Sequence, residues 1–177
     1  MGDERIFERM RSDHRRVLET VAGIEAALLS GATRIVAAED EAQLRTAFTL
    51  LEEHFTTHMT AEDEVLYPAL LETLPEARVS IEPLAGEHLE LRDMLVRLRA
   101  TLAEPAGLDR DEQIAVQLRD FIDLLRIHIR KEEALVISVA ERVLRPREVE
   151  LFATRMSRGI RAAHYPGPSS GQKGVRE

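Results

Sequence analysis

Apolar residues recur three and four positions apart along almost the whole chain, and the two-residue alternation of strands is missing. The pattern predicts a first helix from about Asp3 to Leu29, with Ile6, Met10, Val17, Val21, Ile24 and Leu28 facing inward and Ser30-Gly31 as its stop. A second helix is expected from about Ala38 to Leu66, burying Leu44, Phe48, Leu51, Phe55, Val65 and Leu66, with Pro68 and Pro75 punctuating the stretch after it. The third opens near Pro83, a favourable first-turn residue, and buries Leu84, Leu91, Leu95, Leu98 and Leu102 before Pro105-Ala106-Gly107 ends it. The fourth runs from about Asp109 to Leu144, with Ile114, Leu118, Phe121, Leu125, Leu135 and Val139 inward. Pro146 opens a shorter fifth helix to about Ala162. From His164 onward the composition (HYPGPSSGQKGVRE) reads as a disordered tail. Long helices with short connections predict an all-α, up-down-up-down four-helix bundle over residues 1–145, an additional C-terminal helix over 146–163 and a tail over 164–177.

Composition narrows this picture. At 177 residues one domain is expected, since a domain takes roughly 150. Twenty-four Lys and Arg against 32 Asp and Glu leave a net charge of −8, which argues against nucleic acid or an anionic membrane as partner. Cysteine is absent, so disulfides, thiolate nucleophiles and Cys-based metal sites are excluded. The N-terminal stretch is charged from its third residue and has no apolar core of a signal peptide, and no apolar run approaches the roughly 20 residues that span a bilayer. A cytoplasmic protein is the expectation.

Candidate chemistry comes from polar residues at core positions. His14 lies four after Met10 and three before Val17. His58 lies three after Phe55, with Glu62 four further on. His88 lies four after Leu84 and three before Leu91. His128 lies three after Leu125, and Glu132 follows by four. Residues at these spacings share a helix face, so each of these groups replaces a core residue, and all four bundle helices contribute. One buried His is ordinary, because a backbone carbonyl satisfies it. Two buried carboxylates are not, because a lone ionised carboxylate in a core must be paired or bound to metal. Imidazole with carboxylate suits iron, zinc, manganese or copper, whereas calcium and magnesium prefer oxygen alone. Four His and two Glu exceed the needs of one tetrahedral zinc, and two carboxylates among several imidazoles suggest a bridged pair of metals. A dinuclear iron site fits best.

Two rival motifs are excluded. The positions three before the histidines hold Arg11, Leu51, Phe55, Ala85, Leu125 and Arg161, so the Glu-x-x-His of ferritin-like bundles is absent. No His is followed directly by Glu, which removes the zincin motif.

The segments Ser-Asp-His-Arg-Arg-Val (12–17), His-Met-Thr-Ala-Glu-Asp-Glu-Val-Leu-Tyr-Pro-Ala-Leu (58–70), Gly-Glu-His-Leu-Glu-Leu-Arg (86–92) and His-Ile-Arg-Lys-Glu-Glu (128–133), in that order, resemble the hemerythrin-like, or HHE cation-binding, family. The resemblance spans about Arg11 to Val143. It implies that His14, His58, His88 and His128 ligate iron and that Glu62 and Glu132 bridge two iron ions. Oxygen-carrying hemerythrins place two histidines one turn apart on the third helix, whereas Leu84 stands four before His88. That departure implies chemistry at the iron more than reversible oxygen carriage. His54, one turn before His58, reads as a ligand, as a residue beside the site or its channel, or as a structural histidine, and Tyr67 of the Leu-Tyr-Pro segment as a hydrogen-bond donor beside the site or as an amphipathic residue packing at a helix end. Three function classes are consistent with this set: a redox scavenger or enzyme acting on peroxide, oxygen or nitric oxide; a sensor or store of such a ligand or of iron; and a structural bundle. The expected partner is a small diatomic molecule or peroxide.

Overall fold

The computed structural model describes residues 3–30 and 38–163. Gly31, the side chain of Leu28 and the expected tail from His164 lie outside the described residues. Among the described residues all the regular structure is helical, with α1 (Asp3–Ser30), α2 (Ala38–His54), α3 (Tyr67–Thr73), α4 (Arg78–Ala103), α5 (Leu108–Glu132), α6 (Ser138–Val143) and α7 (Pro146–Ala163). Three π turns join some of these into longer rods: Phe55–Met59 and Glu62–Leu66 lead from α2 into α3, and Glu133–Ile137 leads from α5 into α6. Cross-helix pairs give the directions. Glu25 meets Arg126 and His14 meets Glu133, while Glu52 meets Arg99 and Asp63 meets Arg92. Thr101 meets Gln117, and Glu87 meets Lys131. Neighbouring rods are therefore antiparallel, and the bundle is the expected up-down-up-down arrangement. Among the described residues no helix is long and apolar enough to cross a membrane.

The rod boundaries differ from the periodicity in three places. The second helix does not stop at Pro68. A π turn precedes it, and Tyr67 N–H bonds to the Glu62 carbonyl, so the helical path continues to Thr73 and breaks at Leu74. The wider turn ends just where the proline would otherwise remove an i→i−4 bond and clash with the carbonyl one turn back. The third rod begins at Arg78, before Pro83, because burial of Ile81 and Leu84 favours extending it, and the exposed proline removes one bond close to the N-terminus. Leu135, expected inward, is 48% exposed. The π turn at Glu133–Ile137 adds a residue to that turn, so the inward positions slip by one and Val136 and Ile137 are buried instead. Side-chain hydroxyls stabilise two of these turns: Thr60 donates to the Phe55 carbonyl and Ser138 to the Glu133 carbonyl, each five residues back.

The core is in two parts. One apolar cluster includes Val21, Phe48, Leu51, Phe55, Leu91, Leu98, Leu118, Phe121 and Leu125. The other includes Phe7, Met10, Leu66, Tyr67, Leu70, Leu84, Val136, Ile137 and Phe152. Between them lies a layer of buried polar side chains: His14, His58, Glu62, His88, His128 and Glu132. Helix α7 packs across α1 and the two π turns that precede α3, burying Val149 and Phe152 in the second cluster. Arg155 pairs with Glu64 on the outside of that contact.

The slipped register is testable. Ile137→Ala is expected to cost about 2–5 kcal/mol of unfolding free energy, and Leu135→Ala less than about 0.5 kcal/mol, the usual limit for a surface position. Denaturant unfolding of the two variants checks this; the opposite ranking would place the uninterrupted α-helical register back through residue 135.

Candidate metal centre

The six expected donor residues come from all four rods and meet on the layer between the apolar clusters. Two groups of donor atoms form, each within 4.8 Å of one another: His14, His58, Glu62 and Glu132 in one, and His88, His128 and Glu132 in the other. Glu132 belongs to both. Its Oε2 lies 3.4 Å from His14 Nε2 and 3.7 Å from His128 Nε2. Glu62 also reaches both groups, with Oε1 2.6 Å from His58 Nε2 and Oε2 3.6 Å from His88 Nε2. The spacing of four within each His-x-x-x-Glu segment places imidazole and carboxylate together, as expected from helical periodicity.

The histidines face one another in pairs. His14 Nε2 is 3.1 Å from His58 Nε2, and His88 Nε2 is 3.0 Å from His128 Nε2. Behind each ring stands a carboxylate on the Nδ1 side: Glu133 for His14 at 3.1 Å, Asp13 for His58 at 3.4 Å, Asp63 for His88 at 2.7 Å and Glu87 for His128 at 3.1 Å. A carboxylate only accepts, so the Nδ1–H donates outward and the Nε2 lone pair of a neutral ring is left pointing inward. Four lone pairs and two carboxylates then converge on one small volume. Both oxygens of Glu62 and Oε2 of Glu132 have no hydrogen-bond partner although fully buried. Groups this crowded with negative potential are stable only around positive charge. The chemistry and spacing of the donors suit metal ions with nitrogen and oxygen ligands, and the orphaned oxygens are what such ions would satisfy.

Helical periodicity alone does not single out these outer carboxylates. Each is the immediate neighbour of a site residue: Asp13 beside His14, Asp63 beside Glu62, Glu87 beside His88 and Glu133 beside Glu132. One step along a helix is a rotation of about 100°, which moves a side chain from the core face to the seam with the adjacent rod. Each carboxylate therefore serves the histidine of the next rod, and the four contacts close a ring round the bundle. An acidic residue beside His14, Glu62, His88 and Glu132, one on each rod, is the one signal of them in the sequence.

Burial and charge order the protons in the metal-free protein. Burial pushes His58 down, but the charge of Glu62 beside its Nε2 and the bond to Asp13 raise it to about 10. Burial likewise opposes charge on His88, and Asp63 and Glu62 outweigh it, so this ring is raised while His128, buried beside it, is lowered. Positive charge is therefore favoured on His88 over His128. Burial pushes the Glu132 carboxyl up, and the surrounding His14, His128 and His88 more than reverse this. Burial, then the charges of Glu132 and Glu62, raise the Tyr67 hydroxyl far above its usual range, so it stays protonated.

Tyr67 and His54 both adjoin the centre. The Tyr67 hydroxyl donates to Glu132 Oε1 at 2.7 Å and lies 3.5 Å from His88 Nε2, its ring stacked on that imidazole at 15°. It therefore stands on the His88 side of the centre, while Leu84 packs into the apolar cluster. His54 joins neither donor group. It stacks on His58 with centroids 4.5 Å apart, and burial with the neighbouring His58 and His14 holds it well below its ordinary range, hence neutral.

Comparison with protein families agrees with this geometry. The model of the hemerythrin HHE cation-binding domain matches residues 5–140, and the chain belongs to that family. Helix α7 lies beyond the matched residues. Neither the curated proteins nor the solved structures returned a match.

The proton on His58 fixes a pH dependence. A raised folded pKa contributes stability that is complete below the ordinary value of 6.5 and is lost as pH rises through about 10. The melting temperature of the metal-free protein is therefore expected to fall from neutral pH to about pH 10. Metal-loaded protein, in which ions replace the proton, is expected to hold its melting temperature over the same range. A metal-free melting temperature that climbs across this interval would contradict the charge arrangement.

Proposed function

We propose that the centre holds two iron ions and that the protein binds or reduces a small oxidant (peroxide, oxygen or nitric oxide) as a scavenger or sensor. The observation that carries this reading is the inward set of four Nε2 atoms around two buried carboxylates with three orphaned oxygens, arranged as two donor groups sharing Glu132. Mixed imidazole and carboxylate donors favour a transition metal over calcium or magnesium. His14, His58, Glu62 and Glu132 would hold one ion, and His88, His128 and Glu132 the other, with Glu62 reaching toward both. Iron at such a pair supplies one-electron steps and Lewis acidity close to a bound ligand.

The remaining work falls to the chain. The outer carboxylates keep each imidazole proton on Nδ1 and each Nε2 lone pair on the centre. Tyr67 holds its O–H toward Glu132, beside His88. Apolar clusters above and below exclude bulk water. Every donor residue is at most 1% exposed, so a ligand reaching them must be small. This favours a diatomic molecule or peroxide over an organic substrate.

Metal analysis with an absorption spectrum tests the reading. About two irons per chain with the spectrum of a coupled pair is the expected result. Because Glu132 and Glu62 reach both groups, Glu132→Ala or Glu62→Ala is expected to lower iron content below that of His88→Ala and to abolish the coupled spectrum. His54→Ala is expected to leave iron content nearly unchanged. Two coupled irons retained in the Glu62→Ala and Glu132→Ala proteins would end the bridging assignment. Addition of peroxide then separates turnover from binding alone.

A further inference from the structure

Every donor residue of the centre is sealed inside the bundle, so a ligand has to pass between rods to reach it. A groove of about 420 Å³ runs along the seam between α1 and α2, with Thr20, Gly23 and Ile24 on one wall and Thr46, Ala47 and Leu50 on the other. None of its described lining residues is charged. By contrast, the groove between the second rod and α4 carries Glu52 and Arg92, and the groove on α5 carries Asp109 and Glu112. The α1–α2 groove also leads toward the centre. Leu50 is its last residue on α2, and His54 follows one turn further along the same face. The His54 ring abuts the donors, with its centroid 4.5 Å from that of His58 and 6.2 Å from that of His14. It is 8% exposed, and among the described residues its nitrogens meet no hydrogen-bond partner. Buried polar groups nearly always have one. Among the described residues, the sealed side-chain atoms without a partner are oxygens of Glu62 and Glu132. The His54 nitrogens are not among them, and so remain reachable from outside.

On the small-oxidant reading above, we propose that the α1–α2 groove is the way in for an uncharged oxidant, and that His54 is the hydrogen-bonding group at its inner end. An ion entering a groove of apolar and hydroxyl side chains gives up hydration that nothing there replaces, whereas an uncharged molecule loses little. Asp13, a partly exposed carboxylate beside His58, further disfavours an anion on this seam. A neutral imidazole offers one N–H and one lone pair. It can therefore hold peroxide by both ends, while an apolar diatomic passes without needing it. Its contact with His58 puts that hand-over against the donors themselves.

Two probes test this in the full-length protein loaded with iron(II): the rate of nitric oxide binding, followed by absorption, and the rate of oxidation by hydrogen peroxide. In the second, one peroxide takes two electrons from two iron(II) ions and two protons, and leaves as two waters. Thr20→Phe, which plugs the inner end of the groove, is expected to slow both rates by about 10-fold, a barrier higher by about 1.4 kcal/mol. Gly23→Leu is expected to slow both by a smaller factor. A side chain there enters open space and replaces a helical glycine, so this variant keeps the fold. Val96→Phe, in the charged groove on the other seam, is expected to change neither rate. His54→Phe is expected to slow peroxide by about 10-fold, as for one lost hydrogen bond, and nitric oxide by less than about 2-fold. His54→Gln keeps a donor and an acceptor and is expected to restore the peroxide rate. Iron content is expected to be the same in all five variants. Unchanged rates in both Thr20→Phe and Gly23→Leu, or slowing by Val96→Phe instead, would overturn the route. Equal slowing of both probes by His54→Phe, or no recovery with His54→Gln, would overturn the role of His54. Iron-loaded, unaltered protein that neither binds nitric oxide nor reacts with peroxide would overturn the oxidant reading itself.

Discussion

Two carboxylates and four imidazoles share a volume from which water is excluded, and everything else in the bundle is arranged around the positive charge this demands. The six side chains divide the core into two apolar clusters, so the layer crosses the bundle from wall to wall. With the ring protons drawn to Nδ1 by outer carboxylates, the inward nitrogens face each other at 3.0 and 3.1 Å with nothing of their own to donate. In the metal-free protein the site favours positive charge on His58 and His88, and metal ions would relieve it by taking the lone pairs directly. Without such charge the polar layer costs stability that the flanking clusters must supply.

Charge alternates outward from that layer. Orphaned carboxylate oxygens and imidazoles lie at the centre, carboxylates at the seams between rods, and cations such as Arg92 and Lys131 at the surface. Each step outward is more exposed and of opposite preference, so the strongest uncompensated charge lies at the centre itself. The arrangement also makes the bundle's assembly and the site's assembly the same event, because every ring is oriented by a residue from another rod.

The π turns serve the same layer. They begin beside or within the two His-x-x-x-Glu segments: His58 lies inside the first, Glu62 opens the second, and Glu133 follows Glu132 into the third. A wider turn sacrifices regular helical hydrogen bonding, and such turns recur at functional sites where a side chain has to be re-aimed. Downstream of each, the inward positions slip by one residue, which brings Tyr67 to Glu132 and buries Val136 and Ile137. Helix α7 packs over the first two of these turns with Val149 and Phe152, closing the flank of the bundle where the helical ladder is least regular.

The helical class, the antiparallel bundle and the residues of the central layer were all legible in the sequence. The reason is that a 3.6-residue period acts locally: His14, His88 and the two His-x-x-x-Glu segments fall on faces otherwise built from Leu, Phe, Val and Met, whatever the neighbours are. Tertiary structure decided what depends on two rods at once. Whether Leu135 or Val136 turns inward depends on a π turn that the apolar pattern does not announce. That Asp13 serves His58 and not its neighbour His14 depends on a seam between α1 and the rod beside it. Which donors group together depends likewise on how the rods are set against each other. Periodicity assigns a residue to a face, and only packing assigns it a partner.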